Sequence, residues 1–401
     1  MSRDQNPLKD SAQQSAETQL VHGGGDRTHN GETSEAIFMN SGFVYADSKS
    51  AEARFNGEEP GHIYSRFSNP TVEMFQKRMA LLEGAEAARG TATGMAAVTT
   101  AIMAQVRAGD HVVATQALFG GCRYVVEDYL PRWGVDSTLV DGSDPENFAK
   151  AMKKNTKLVF LETPTNPTLA LVDIQAVADI AHAHGALLVV DNVFATPIWQ
   201  KPLELGADLV VYSATKHIDG QGRALGGVIL GSEELISGDI HTFIRQTGPS
   251  MSPFNAWIML KGLETLPIRV RQMTENAAKI ADFLGQHPKV SKLMYPGHSS
   301  HPQYDLAQRQ MGAGSTLVAF EVTGGQEEAF RVADALGIIL ISNNLGDAKS
   351  IISHPSTTTH QRFSEEVRQE AGISRSLLRL SVGIENANDL IADLSFGLDT
   401  I

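Results

Sequence analysis

An acid and a lysine close two short apolar runs 25 residues apart. LLVVDN carries Asp191, and DLVVYSATKH carries Ser213, Thr215 and Lys216. If both runs are parallel strands of one sheet, these side chains emerge at the same edge, where ligands of such sheets gather. A lysine there forms a Schiff base with an aldehyde, and a neighbouring acid keeps a pyridine nitrogen protonated, so the pair suits pyridoxal chemistry. The hydroxyls of Ser213 and Thr215 suit a phosphate beside the lysine. Read singly, Asp191 is a turn residue and Lys216 a solvated side chain. The run SATKH at the end of an apolar strand weighs against that reading.

Three further groups have the right types for the same chemistry. ATGMAA, residues 92–97, opens a helical pattern, and backbone N–H groups at a helix start, with Gly94 allowing close approach, make a phosphate cradle. An ordinary helix with Thr93 as its N-cap is the plainer account. ETPTNP, residues 162–167, ends the apolar run KLVFLE and places Asn166 between two prolines. That is a turn signal, and also a rigid polar group able to bond the cofactor's 3′-oxygen. RLSVG sets Arg379 inside an apolar run, where a charge is costly unless partnered. Its partner is either a structural acid or a substrate α-carboxylate held in a bidentate fork. Cys122 reads as a small buried side chain. The 13 histidines show no metal-ligand spacing, since His182 and His184 lie two apart on a helix and do not share a face.

These residues need a scaffold. HVVAT, STLVD, KLVFLET, ALLVVDN, DLVVYSA and GGVILG read as buried strands, with GCRYVVEDYLPRW, PENFAKAMKK and DIQAVADIAHAHG helical between them. This alternation predicts an α/β chain with a mainly parallel sheet covered on both faces. TVEMFQKRMALLEG predicts a helix ending at Gly84, and GMAAVTTAIMAQVRAG one ending at Gly109. After residue 253 comes a long helical stretch bent at Pro267, then STLVAFEV, IILISN and LLRLSVG as strands with EEAFRVADAL and ANDLIADLSFGL as helices, a smaller α+β domain. The expected division is an N-terminal arm over 1–62, partly disordered and contacting a neighbouring subunit, a large cofactor domain over 63–257, and a C-terminal domain over 258–401. A length of 401 residues and a net charge of −13 fit a two-domain globular protein without an electrostatic pull toward nucleic acid or anionic membrane. One cysteine, no apolar leader and no bilayer-length apolar run point to the cytoplasm.

Assembled, YSRFSNPT, ATGMAA, ETPTNP, DNVFATP, SATKH, GGVILG, LGDAKSIISHPSTTTH and RLSVGIE stand in the order seen in the Cys/Met-metabolism family of pyridoxal-phosphate enzymes, which the chain resembles from about residue 18 to its end. The resemblance implies the type I, aspartate-aminotransferase-like fold and a homotetramer of two active dimers. It implies Lys216 as Schiff-base lysine and proton carrier, and Asp191 on the pyridine nitrogen. It further implies Gly94, Met95, Ser213 and Thr215 on the phosphate, Tyr64 and Arg66 reaching that phosphate from a neighbouring subunit, and Arg379 with Asn166 on the substrate α-carboxylate. Free Lys216 must be neutral to take a proton, so burial and nearby positive charge are expected to lower its pKa.

Two departures sharpen the expectation. Where the family usually stacks a tyrosine on the cofactor ring, ALFGG has Phe119, which keeps stacking but has no hydroxyl. Any acid–base role of that phenol passes to Lys216, Tyr64 or water, which disfavours a γ-lyase. ISNNLGDAKS has Asn344 where γ-lyases and cystathionine γ-synthases tend to have serine, and in this it is similar to the sulfhydrylases. HIDGQGRALGG and MSPFNAWIMLKGLETL resemble the bacterial O-succinylhomoserine sulfhydrylases. The implied activity is γ-replacement of succinate in O-succinyl-L-homoserine by sulfide, giving L-homocysteine for methionine synthesis. Arg54 and Arg123 are candidates for the succinyl carboxylate. Cystathionine γ-synthase, O-acetylhomoserine sulfhydrylase and a γ-lyase are the enzyme alternatives. A non-catalytic pyridoxal-phosphate binder, acting as a regulator, is the remote one.

Overall fold

The computed structural model describes residues 14–401, so the first thirteen residues of the expected arm lie outside the described ones. The chain divides into two compact units. One comprises the described residues up to Ala104 with Val211–Thr215 and Arg223–Thr265. The other comprises Gln105–Val210, Lys216–Gly222 and Leu266–Ile401.

In the first unit, β1 (Ala87–Thr91) pairs antiparallel with β7 (Gly227–Gly231). The helix Pro70–Glu83 starts on the Asn69 side chain, which accepts from the Thr71 N–H, and stops at Gly84 in the left-handed region, φ 80°. Its buried Arg78 bonds Glu35 at 2.7 Å and the Gly23 carbonyl at 2.9 Å, which ties the N-terminal segment down.

The second unit carries β2 (His111–Thr115), β3 (Asp136–Val140), β4 (Thr156–Glu162) and β5 (Leu187–Asp191), all parallel in the order β5-β4-β2-β3. The chain passes between units along β6 (Leu209–Tyr212). Val159, Phe160, Leu161, Val189 and Val190 are fully buried, as strands covered on both faces require. A second sheet has the order β10-β11-β12-β9-β8, from β8 (Val290–Met294), β9 (Leu317–Val322), β10 (Leu340–Ile341), β11 (Ile351–Ser353) and β12 (Leu377–Ser381). Phe320, Leu378 and Leu380 of this sheet pack on Ile280, Leu284 and Leu394 from the helices Leu266–Gln286 and Ala387–Leu398. The chain therefore forms the expected α/β architecture, a mainly parallel central sheet and a smaller second sheet.

The differences are local. The helix from Gly94 ends at Met103, not at Gly109, because Ala104 caps it and Gly109 takes φ 93° in a separate turn. The long helical stretch breaks between Leu263 and Leu266, leaving Pro267 in the first turn of the second helix, where a missing N–H costs nothing. GCRYVVEDYLPRW loosens through a π-turn at Val125–Tyr129 into a 3₁₀ turn. Three strands went unread: β1 is the small-residue run AARGT, β8 is an edge strand with Ser291 and Lys292 exposed at its centre, and β11 has three residues. Among the described residues no helix is long and apolar enough to cross a membrane.

Candidate active site

The second unit builds the site at the carboxyl ends of its parallel strands. Glu162 ends β4 and Asp191 ends β5, and the two are paired residues in the register. Both are buried. Burial pushes the Asp191 carboxyl up to about 6, although the Val193 N–H donates to it at 3.1 Å. Burial, and then the Asp191 charge, push Glu162 well above the usual carboxylate range. The Glu162 oxygens accept the Phe119 N–H and the Asn166 N–H, each at 2.8 Å. Cys122 lies near the same two acids, and burial, then their charge, holds its thiol well above its ordinary pKa. This fits an inert packed side chain.

Lys216 is mostly buried, and burial first, then the Arg379 charge, lowers its pKa to about 8. Its Nζ donates to Asn344 Oδ1 at 2.5 Å. Arg379, in the middle of β12, is 1% exposed. Its Nη1 donates to Asn166 Oδ1 at 2.8 Å, and its Nη2 donates to the carbonyls of Asn343 and Asn344 at 3.2 and 3.1 Å. The buried Nε has no partner among the described residues, and no carboxylate there forms an ion pair with this guanidinium. Of the two partners foreseen for Arg379, the structural acid is represented by Glu162, which acts on it through its charge without forming an ion pair. Beside it, burial and then Arg379 hold His360 down at about 4, so this ring is neutral.

The first unit supplies a close backbone approach. Thr93 caps the helix Gly94–Met103 by accepting from the Ala96 N–H at 3.0 Å, as the plainer account has it. A Cβ on Gly94 would sit 2.6 Å from Ser213 Cβ and 2.7 Å from its Oγ, so only glycine lets this helix start meet Ser213. The Thr215 hydroxyl exchanges hydrogen bonds with Gly226, donating at 3.3 Å and accepting at 3.1 Å. Met95 is the second residue of that helix. Tyr64 is 42% exposed, and the Arg66 guanidinium lies over the rings of Tyr64 and Phe67, at 5.6 and 4.9 Å, while donating to the Arg245 carbonyl.

Lys216, Asn344, Arg379, Asn166 and Phe119 are thus joined within one unit through hydrogen bonds, and Gly94 meets Ser213 within the other. Neither arginine considered for a succinyl carboxylate is simply solvated. Arg54 pairs with Glu59 at 3.4 Å and lies over Tyr45. Arg123 grips Glu127 at 2.5 and 3.1 Å, lies over Phe363, and lines a cavity of about 570 Å³ that Gly120, Thr359 and Arg362 also line. Sequence reasoning missed Glu162. It stood in ETPTNP, at the end of the strand beside the one carrying Asp191, and its place there was the available signal.

In the second unit, a lysine lowered toward neutrality and a buried acid at a strand end suit the aldehyde and the pyridine nitrogen of pyridoxal 5′-phosphate; in the first, a helix start opened by glycine suits a phosphate. Such a site on a mainly parallel α/β sheet defines a pyridoxal-phosphate-dependent enzyme. The model of the Cys/Met metabolism PLP-dependent enzyme family matches residues 17–399, and the chain belongs to that family. It is 51% identical, over 94% of each chain, to an O-succinylhomoserine sulfhydrylase of Mycobacterium tuberculosis. It is 42% identical to an L-methionine gamma-lyase of Porphyromonas gingivalis, over 96% of this chain and 97% of that one. A Campylobacter jejuni structure described as an O-acetylhomoserine (thiol)-lyase, with N′-pyridoxyl-lysine-5′-monophosphate in it, superposes with a TM-score of 0.92 at 33% identity, covering 96% and 99%. The fold is therefore that of the pyridoxal-phosphate enzymes of Cys/Met metabolism.

Proposed function

We propose that this enzyme is an O-succinylhomoserine sulfhydrylase, replacing the succinyloxy group at the γ-carbon of O-succinyl-L-homoserine by sulfide to give L-homocysteine. The observation that carries the reading is the chain of contacts from Lys216 through Asn344 to Arg379: an amine of lowered pKa stands two contacts from a buried guanidinium that forms no ion pair among the described residues. Arg379, with Asn166 bonded to it, grips the substrate α-carboxylate and so fixes the amino acid beside Lys216. Pyridoxal phosphate, when bound, supplies the electron-withdrawing ring that acidifies the C–H bonds next to the substrate's amino group. Lys216 takes the α-proton on Nζ and returns it at the end, which requires the amine to be neutral when free. Asn344 accepts a hydrogen bond from Nζ and holds it in place between those transfers.

Asp191 is the residue for the pyridine nitrogen. Gly94, Met95, Ser213 and Thr215 hold the phosphate, Tyr64 and Arg66 reach it from a neighbouring subunit of a homotetramer, and Phe119 stacks on the ring. The protein works in the cytoplasm on small-molecule substrates. Higher identity to the sulfhydrylase than to the γ-lyase supports γ-replacement over γ-elimination, and so does a phenylalanine where a phenol would stack.

The test is a product assay on the purified holoenzyme with sulfide, comparing O-succinyl- and O-acetyl-homoserine, with Lys216→Ala as control. Homocysteine from the succinyl ester, absent with the variant, is the expected result. Faster turnover of the acetyl ester overturns the donor. Faster use of cysteine than sulfide makes the enzyme a cystathionine γ-synthase.

A further inference from the structure

We propose that Glu162 is a positioning residue, a single carboxyl group that fixes the Phe119 and Asn166 backbones together against the strand end carrying Asp191. The inference rests on the reading of Phe119 and Asn166 given above. Two buried carboxyl groups on paired residues of neighbouring strands oppose each other electrostatically, so an acid at 162 is a poor choice for packing alone. The geometry shows what it is used for. One oxygen takes the N–H of Phe119, where the helix Gly120–Tyr124 begins. The other takes the N–H of Asn166, whose side-chain oxygen is itself held by Arg379. Both bonds are 2.8 Å, both end on residues assigned to ring or substrate, and these residues are separated by 47 positions in the chain.

Glutamine would keep one acceptor but present an NH₂ group to the second N–H. Aspartate is one carbon shorter and cannot span the two. The charged and titratable groups acting on Glu162 are Asp191 and Arg379, with Cys122 close by. Arg379 favours the ionised carboxyl and Asp191 opposes it, so the group stands electrostatically between the cofactor acid and the carboxylate grip. Its effect on catalysis runs through the two backbones it holds.

A double-mutant cycle on the holoenzyme tests this, using Glu162→Gln, Asn166→Ala and the double variant. Glu162→Gln should lower kcat/KM for the amino-acid ester by about 10- to 100-fold, mostly through KM, since a buried N–H loses its acceptor. It should also change the visible circular dichroism of the bound cofactor, which reports the stacked ring. In the Asn166→Ala background the loss should shrink to a few-fold, because the two residues act as one unit. Full multiplication of the two losses, or a Glu162→Gln variant within twofold of wild type in KM and dichroism, overturns the proposal. If Glu162→Gln does not accumulate as folded holoenzyme, hydrogen exchange on the wild type decides. Slow exchange of both the Phe119 and Asn166 amides is expected, and fast exchange at either one refutes it. The cycle uses whichever ester the wild type turns over, so an error in the donor assignment does not affect it.

Discussion

Arg379 offers the most direct test of how the site grips its substrate. The guanidinium is buried, points Nη1 and Nη2 at three neutral oxygens, and has no acid of its own among the described residues. Glu162 acts on it only through its charge, so on the assignment proposed above the substrate α-carboxylate is the anion it grips directly. Two charge-assisted hydrogen bonds of about 1.5–3 kcal/mol each would be lost on substitution, partly offset by residual binding elsewhere. At about 1.4 kcal/mol per decade, Arg379→Ala should cut kcat/KM for the amino-acid ester by roughly 10²–10⁴. Arg379→Lys keeps a charge but not the planar fork and should fall between the variant and wild type. Steady-state homocysteine formation over a range of ester concentrations measures both. The cofactor's absorbance should stay, since Arg379 is assigned to the substrate. An alanine variant within about fivefold of wild type would refute the assignment, and so would one that loses cofactor but keeps its KM.

Four other outcomes are expected. Lys216 has a folded pKa of about 8 against an ordinary 10.5, so the unfolded chain binds more protons between those values and the cofactor-free protein should gain stability as pH rises from 8 to 10.5. Below pH 8 the deficit is complete, about 3 kcal/mol, and Lys216→Met should abolish this slope in denaturant melts at several pH values. Gly94→Ala places a carbon 2.6 Å from Ser213 and should weaken cofactor retention at least tenfold, measured by dialysis and reconstitution, while far-ultraviolet dichroism is unchanged. Cys122 is buried, with a thiol held high, so a thiol reagent at pH 8 should leave native protein unlabelled and modify one site per chain on unfolding. If Arg66 serves a neighbouring subunit, mixing Arg66→Ala with Lys216→Ala chains through a dissociation step should restore about a quarter of wild-type activity, because half the dimers gain one intact site; no recovery would place Arg66 in its own subunit's site.

The parallel strands were legible because each is a short, continuous apolar run, and Asp191, Lys216 and Arg379 were legible because polar residues at such places are conspicuous. The unread strand β1 has two alanines, an arginine, a glycine and a threonine, so nothing in its composition announces a strand; antiparallel pairing with β7 makes it one. β8 lies at a sheet edge, where only Val290, Leu293 and Met294 pack inward and the exposed Ser291 and Lys292 break the apolar pattern. Glu162 was passed over because a glutamate ending a strand looks like a solvated cap. Its chemistry depends on β4 and β5 being in register, and that pairing is a property of the folded sheet. The Asn344 contact with Lys216 spans 128 positions and has no local signal.

The buried Lys216 has one more consequence. An amine that must shed its proton or be held out of water weakens the empty protein, and a group that occupies the amine removes that penalty. Cofactor loading and folding are therefore one linked equilibrium, in which free cofactor above its dissociation constant adds stability logarithmically. The supply of the cofactor then sets how much chain resists unfolding and proteolysis as well as how much is active. Substitutions chosen only to raise the melting temperature of the empty protein would be drawn first to this lysine, and would discard the enzyme to stabilise the scaffold.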